Sequence, residues 1–132
     1  PAGAGLAAAR VVRTPAGALS TGEQARRRLA VAFVRIERAT TRTGAAPWLI
    51  CDEFCSVLDR ATATGVASSL RRWATATGAR VVVASAHADL ERLLGPDLVV
   101  RTEAGEPPRV ERGTGRARAP RGKSCDRDCR QC

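Results

Sequence analysis

Residues 48–53, WLICDE, decide the fold, because a short apolar run stops abruptly at two acidic residues. Such a run is typical of a buried β-strand that ends in a polar loop. Apolar residues then recur at helical spacing over 66–74, Gly78 is placed to end that helix, and residues 80–85 form a second, β-branched run. Strands that alternate with helices predict an α/β fold with a parallel sheet and flanking helices.

An amphipathic helix is predicted upstream of this strand, from Glu23 to about Arg38. Ser20 and Glu23 have the Ser-x-x-Glu spacing of a capping box, so the helix should begin near Gly22. Its apolar face consists of Ala25, Leu29, Ala32, Phe33 and Ile36, and arginines occupy the other faces.

Two further elements are predicted downstream of the second strand. Residues 88–94 favour a short helix closed by Gly95, and residues 98–100 favour a third strand of the same sheet. Beyond Pro108 the composition turns to Arg, Gly and Pro without apolar periodicity, so we expect residues 113–132 to be a disordered basic tail.

Composition excludes several classes of protein. The 132 residues carry 22 Lys and Arg against 13 Asp and Glu, a net charge of +9, and 44% are hydrophobic, which excludes general disorder. No run reaches the roughly 18 to 20 apolar residues of a membrane span, and no signal peptide is visible, so we expect a cytoplasmic protein. Aromatic residues make up only 3%, too few for stacking on single-stranded nucleic acid.

Four motifs in order carry a resemblance to a known family: residues 19–24 (LSTGEQ), 48–53 (WLICDE), 56–59 (SVLD) and His87. In this order they resemble the second half of an ABC-type ATPase domain, and most of all the soluble bacterial and phage ABC ATPases, some of which are fused to acetyltransferases. The resemblance implies, in turn, the signature motif, the Walker B strand, the D-loop and the switch histidine. It also implies a partial P-loop NTPase sheet and the hydrolysis of ATP.

The resemblance places two acids and the histidine at the reaction. Asp52 would hold Mg²⁺ through water, Glu53 would orient and polarise the attacking water as a base tuned by burial, and His87 would donate to a γ-phosphate oxygen. Each feature also has a structural reading. Asp-Glu after a strand is a common acidic turn, and a lone histidine is more often structural than catalytic.

The resemblance places Ser20, Gly22 and Glu23 at the terminal phosphate of ATP held by the opposing subunit of a head-to-tail dimer. A helix N-terminus with free amides, introduced by a small residue and a hydroxyl, suits a phosphate on physical grounds alone. Asp59 would couple the two sites across the dimer. The alternative for this segment is that the capping box merely starts a helix.

Four features depart from the family pattern, and one of them is a distance from Ser20 to Asp52 that is longer than in most transporters. No phosphate-cradling loop precedes the signature motif, Thr21 replaces a glycine of the commoner signature, and Phe54 replaces the usual proline after the catalytic glutamate. Residues 117–124 fit a relaxed P-loop pattern, but Pro120 among arginines provides neither the strand nor the helix that such a loop needs.

We therefore divide the chain into three parts. Residues 1–18 would connect to a missing N-terminal half, because the chain starts at Pro1 and contains no Met; residues 19–112 would be the C-terminal part of the ATPase domain; and residues 113–132 would be the tail. Two other functions stay open. One is a basic α/β module that binds nucleic acid without catalysis, and the other is a protein that binds metal through Cys125, Cys129 and Cys132.

Overall fold

The computed structural model describes residues 14–113 and residue 115, and the part of this range up to Gly95 contains three α-helices and a two-stranded parallel sheet. A second unit begins at Pro96. The elements of the first unit are a 3₁₀ turn at Ala16–Ala18, α1 at Thr21–Thr43, β1 at Trp48–Cys51, α2 at Arg60–Thr77, β2 at Arg80–Val83 and α3 at Leu90–Leu94.

Helix α1 begins as predicted and ends later than predicted. Both hydrogen bonds of the Ser20–Glu23 capping box are present, and Gly44 ends the helix in the left-handed conformation at φ 67°. The helix continues past Arg38, and threonine hydroxyls near its end donate to carbonyls one turn back, as Thr40 Oγ1 does to the Ile36 carbonyl at 2.9 Å. The threonine-rich stretch was therefore wrongly predicted to lie outside the helix.

Helices α1 and α2 pack on one face of the sheet. The rings of Phe33 and Trp73 stack with centroids 4.2 Å apart and planes 8° from parallel, and Trp73 Nε1 donates to Glu37 Oε1 at 2.9 Å. The buried core consists of Ala30, Phe33, Leu49, Phe54, Cys55, Ala63, Val66, Ala67, Leu70 and Leu90. The helical spacing predicted for α2 is confirmed, as is its end at Gly78.

Strands β1 and β2 are adjacent and parallel, with Leu49 opposite Val81 and Cys51 opposite Val83. These inward-facing residues pack on the core, but the other face is open: the exposed fractions are 59% for Trp48, 73% for Ile50 and 46% for Val82. The expectation of a fully buried strand is therefore wrong for one face. The Arg80 guanidinium lies over the Trp48 ring, 5.4 Å from its centroid.

The second unit is an antiparallel hairpin of β3 (Leu98–Arg101) and β4 (Arg109–Arg112). The strand over 98–100 is confirmed, but its predicted place in the parallel sheet is wrong, because its partner is β4. The connection between β3 and β4 turns through Gly105 at φ 82°, which allows the two strands to pair as neighbours along the chain. Strand β4 was not predicted from the sequence.

The described residues thus form a mixed α/β architecture with two separate two-stranded sheets, of which one is parallel. They do not themselves build the larger parallel sheet that the resemblance implies. No helix in this part of the chain is long and apolar enough to cross a membrane. Residues 1–13 and most of the predicted tail, with its cysteine cluster at 125–132, lie outside the described residues.

Candidate functional site

The loops that follow β1 and β2 are joined by a ladder of hydrogen bonds. The Ala84 amide donates to the Cys51 carbonyl at 2.9 Å, and the Phe54 amide donates to the Ala84 carbonyl at 2.9 Å. Ser85 Oγ then donates to the Phe54 carbonyl at 3.0 Å and accepts from the His87 amide at 3.2 Å. We call this pair of side-chain bonds the Ser85 bridge. It ties the loop of Asp52 and Glu53 to the loop of His87.

Asp52 and Glu53 are both exposed at the carboxyl end of β1. The Glu53 amide donates to Asp52 Oδ1 at 3.0 Å, which fixes the first acid against the backbone of the second. The expected burial of Glu53 is wrong for this chain, because no element of the described residues covers the edge of the sheet here.

The loop after β1 turns without a glycine. Glu53 and Cys55 adopt left-handed backbone conformations with φ of 48° and 64°, a region that side-chain-bearing residues rarely occupy. Buried Phe54 and Cys55 anchor the loop in the core. Such backbone strain persists only where the surrounding packing imposes it, and it clusters at functional sites. The loop therefore presents Glu53 outward from a rigid base.

Two thiols flank the acidic pair and face the core. Burial and the neighbouring Cys51 raise the pKa of the Cys55 thiol to about 11, and burial also raises the pKa of Cys51. Both thiols are therefore protonated at neutral pH. They act in this loop as small apolar side chains.

The N-terminus of α1 holds the predicted phosphate-binding residues. The Glu23 amide donates to Ser20 Oγ at 3.2 Å, and the Ser20 amide donates to Glu23 Oε2 at 2.9 Å. The motif therefore forms the capping box that the structural alternative predicted. The Ser20 side chain is exposed and uses only its acceptor capacity in the capping box, so its hydroxyl proton can still be donated outward.

Gly22 lies where two segments approach each other closely. A Cβ at this position would lie 3.1 Å from Leu58 Cδ2 and 3.4 Å from the Val57 carbonyl oxygen. The start of α1 therefore packs against residues 57–58, and the structure brings the predicted signature segment and the predicted D-loop into contact within one chain.

Asp59 caps helix α2. Its Oδ1 accepts from the Thr62 amide at 2.9 Å, and hydrogen bonds from Thr62 hold the pKa of the Asp59 carboxyl below its ordinary value. This capping accounts for the residue in a single chain. The predicted coupling across a dimer stays a prediction.

His87 is half-buried after β2, and its carbonyl accepts from the Leu90 amide at 3.2 Å at the start of α3. Within the described residues, no hydrogen bond or ion pair links its ring to the side chains of Asp52 and Glu53. The fold places these groups on neighbouring loops and leaves the imidazole available to another partner.

The described residues contain no group of three or more His, Cys, Asp or Glu side chains arranged to hold a metal. Mg²⁺ does not need one, because it keeps much of its water and binds through one or two carboxylates. Asp52, as an exposed carboxylate, fits that chemistry. Two surface cavities of about 390 and 240 Å³ border α1, and neither is lined by Asp52, Glu53 or His87.

Ser85 is the member of this arrangement that sequence reasoning missed. It was read only as the end of the second apolar run. A hydroxyl directly after a strand that neighbours an acidic loop was the available signal, since serine readily bonds nearby backbone groups.

Comparison of the chain with protein-family models, curated proteins and solved structures finds no match. The interpretation of the site therefore depends on its own residues and geometry.

Proposed function

We propose that the chain is the C-terminal part of a soluble ABC-type ATPase domain, which binds and hydrolyses ATP with Mg²⁺ as a head-to-tail dimer. The observation that carries the proposal is the adjacency of β1 and β2, whose carboxyl ends deliver Asp52, Glu53 and His87 to two loops joined by the Ser85 bridge. In parallel sheets, ligands bind outside the carboxyl ends of the strands.

In this proposal each of the three side chains has a separate task. Asp52 would hold Mg²⁺ through water, and the ion, when bound, would supply positive charge beside the phosphate oxygens. Glu53 orients and polarises a water whose oxygen attacks the γ-phosphorus, while the bond from that phosphorus to the leaving ADP oxygen breaks. His87 donates a hydrogen bond to a γ-phosphate oxygen.

The start of α1 serves the nucleotide of the opposing subunit. The outward hydroxyl of Ser20 and the first amides of α1 suit a terminal phosphate, and Glu23 holds Ser20 in place through the capping box. Contact between Gly22 and residues 57–58 supports a link from this helix to Asp59 and the second site.

The open face of β1 and β2 agrees with a chain that needs more of its domain. Parallel strands are almost always covered on both faces, yet Trp48, Ile50 and Val82 are exposed here. An upstream half that carries the phosphate loop and further strands would extend and cover this sheet.

The test is ATP turnover by a longer protein that carries this chain after a phosphate-binding loop. Glu53→Gln should abolish hydrolysis while ATP binding and dimerisation persist. Glu103→Gln, the same change at an exposed glutamate of the hairpin connection, is the matched control and should leave turnover unchanged. Equal turnover by the two variants, or the lack of an upstream phosphate loop, would overturn the proposal.

A further inference from the structure

One face of helix α1 carries a row of arginines. The helix contains six arginines against two glutamates, and five of the arginines fall within about 100° around the helix axis. We call this face the arginine stripe; it consists of Arg27, Arg28, Arg35, Arg38 and Arg42. Because Arg28, Arg35 and Arg42 are spaced seven residues apart, the stripe is nearly straight and spans roughly 21 Å.

Most of the stripe has no partner within the described part of the chain. Arg28, Arg35, Arg38 and Arg42 are exposed, and none makes an ion pair or hydrogen bond there, whereas Arg27 donates to the Thr14 carbonyl at 3.2 Å. Most other arginines of the described residues contact a partner. Arg60 pairs with Asp89, Arg101 with Glu111 and Arg109 with Glu106. Arg71 donates to backbone carbonyls, Arg72 donates to Ser69 Oγ, and the Arg80 guanidinium lies over the Trp48 ring.

The two glutamates of α1 do not neutralise the stripe. Glu23 belongs to the capping box, and Glu37 accepts from the Trp73 ring on the opposite side of the helix. Faces that serve only solubility usually mix both signs of charge. A face of one sign creates instead a local field that attracts an anionic partner.

The N-terminal half of the stripe is concave. Arg27, Arg28 and Arg35 line the cavity of about 390 Å³ together with Leu19, Gln24, Val31 and Ala32. Guanidinium groups bind phosphate through two parallel hydrogen bonds, so three of them around one hollow suit a phosphodiester backbone.

We propose that the arginine stripe of α1 binds the backbone of double-stranded nucleic acid without reading its sequence, an interaction that does not depend on the proposed ATPase activity. A duplex is favoured over a single strand because the stripe has no aromatic ring on which bases could stack. It is favoured over a lipid surface because membrane-bound amphipathic helices insert their apolar face, and here that face, with Ala30 and Phe33, is buried in the core.

The experiment measures binding of the full chain to a fluorescent 24-base-pair DNA duplex between 50 and 200 mM salt. The triple variant R28Q/R35Q/R42Q should lower the slope of log affinity against log salt by about 2.7, since each phosphate contact contributes about 0.9. Over this salt range the wild-type affinity should therefore fall about fortyfold more than that of the variant. The control variant R72Q/R92Q/R112Q removes the same charge from exposed arginines outside α1 and should keep the wild-type slope.

Two additions keep the result interpretable. The variant R28K/R35K/R42K retains the charge and should restore binding, so loss of folding in the glutamine variant would not by itself count as support. Equal slopes for wild type, glutamine variant and control would overturn the proposal, because binding would then arise elsewhere in the basic chain. Stripe-dependent binding to phosphatidylserine vesicles with unchanged DNA binding would overturn it in favour of a lipid partner.

Discussion

Replacing Ser85 with alanine should loosen the connection between the two candidate loops while leaving the sheet intact. The substitution removes both bonds of the Ser85 bridge, at 3.0 and 3.2 Å, and deprives the His87 amide of its acceptor. A hydrogen bond of this kind contributes about 0.5–1.5 kcal/mol net, and Ser85 itself is exposed, so we expect a local loss of about 1–2 kcal/mol. The opening equilibrium of the loop should rise about five- to thirtyfold.

Amide hydrogen exchange measures this change at single residues. The His87 amide should exchange about five- to thirtyfold faster in Ser85→Ala than in the wild type. The Phe54 amide should respond less, because it donates to the Ala84 carbonyl rather than to the lost hydroxyl. Ser85→Thr, which keeps a hydroxyl, should restore protection of the His87 amide.

Ser56→Ala provides the matched control, because Ser56 is an exposed serine of the neighbouring loop after β1 and its side chain makes no hydrogen bond within the described residues. If the two alanine variants show the same exchange rate at His87 and the same free energy of unfolding, the Ser85 bridge does not hold the loops together. The geometric basis of the proposed active site would then be lost.

Two other substitutions test the segments around this site. Asp59→Asn keeps the cap of α2 but removes a carboxyl whose pKa is lowered in the folded state. The ionised Asp59 carboxylate therefore stabilises the fold at pH values above its unfolded pKa, and this stabilisation disappears as the pH falls through the folded pKa. Urea unfolding at pH 7 and pH 3 should therefore show a smaller acid destabilisation for Asp59→Asn than for wild type; a larger one would contradict the shift. Gly22→Val should destabilise the chain by about 1–3 kcal/mol, because it forces a branched side chain against Leu58. Gly22→Ala should lower the free energy of unfolding by less, because only the flexible end of Leu58 must move. Identical urea midpoints for the three chains would refute the close contact at Gly22.

Local signals in the sequence were sufficient for much of the first unit. The predicted strand over residues 48–51, the capping box at Ser20 and the glycine that ends α2 all occur where expected. Each of these features is decided by neighbours within a few residues, so the sequence pattern contains the whole interaction. The adjacency of the Asp52–Glu53 loop and the His87 loop followed from the same local pattern plus the rule that parallel strands share an edge.

The errors concern interactions between distant residues. The apolar run at 98–100 is equally compatible with a central parallel strand and with a hairpin, and its pairing with residues 110–112 is decided by a partner that no local pattern marked. In the same way, the apolar sequence of residues 48–51 does not indicate whether one face of the strand or both faces are covered. The predicted burial of Glu53 was wrong for a related reason, since the exposure of this side chain depends on what lies opposite the edge of the sheet.

The left-handed backbone at Glu53 sets the free energy of folding against the proposed chemistry at one position. A side chain in this conformation costs roughly 1–2 kcal/mol relative to glycine, which has no Cβ to crowd the carbonyl. A redesign that optimised folding free energy alone would choose Glu53→Gly and would erase the carboxylate in doing so. A thermostabilised variant that is to keep the proposed activity must therefore leave the loop after β1 unchanged and gain its stability in the helices.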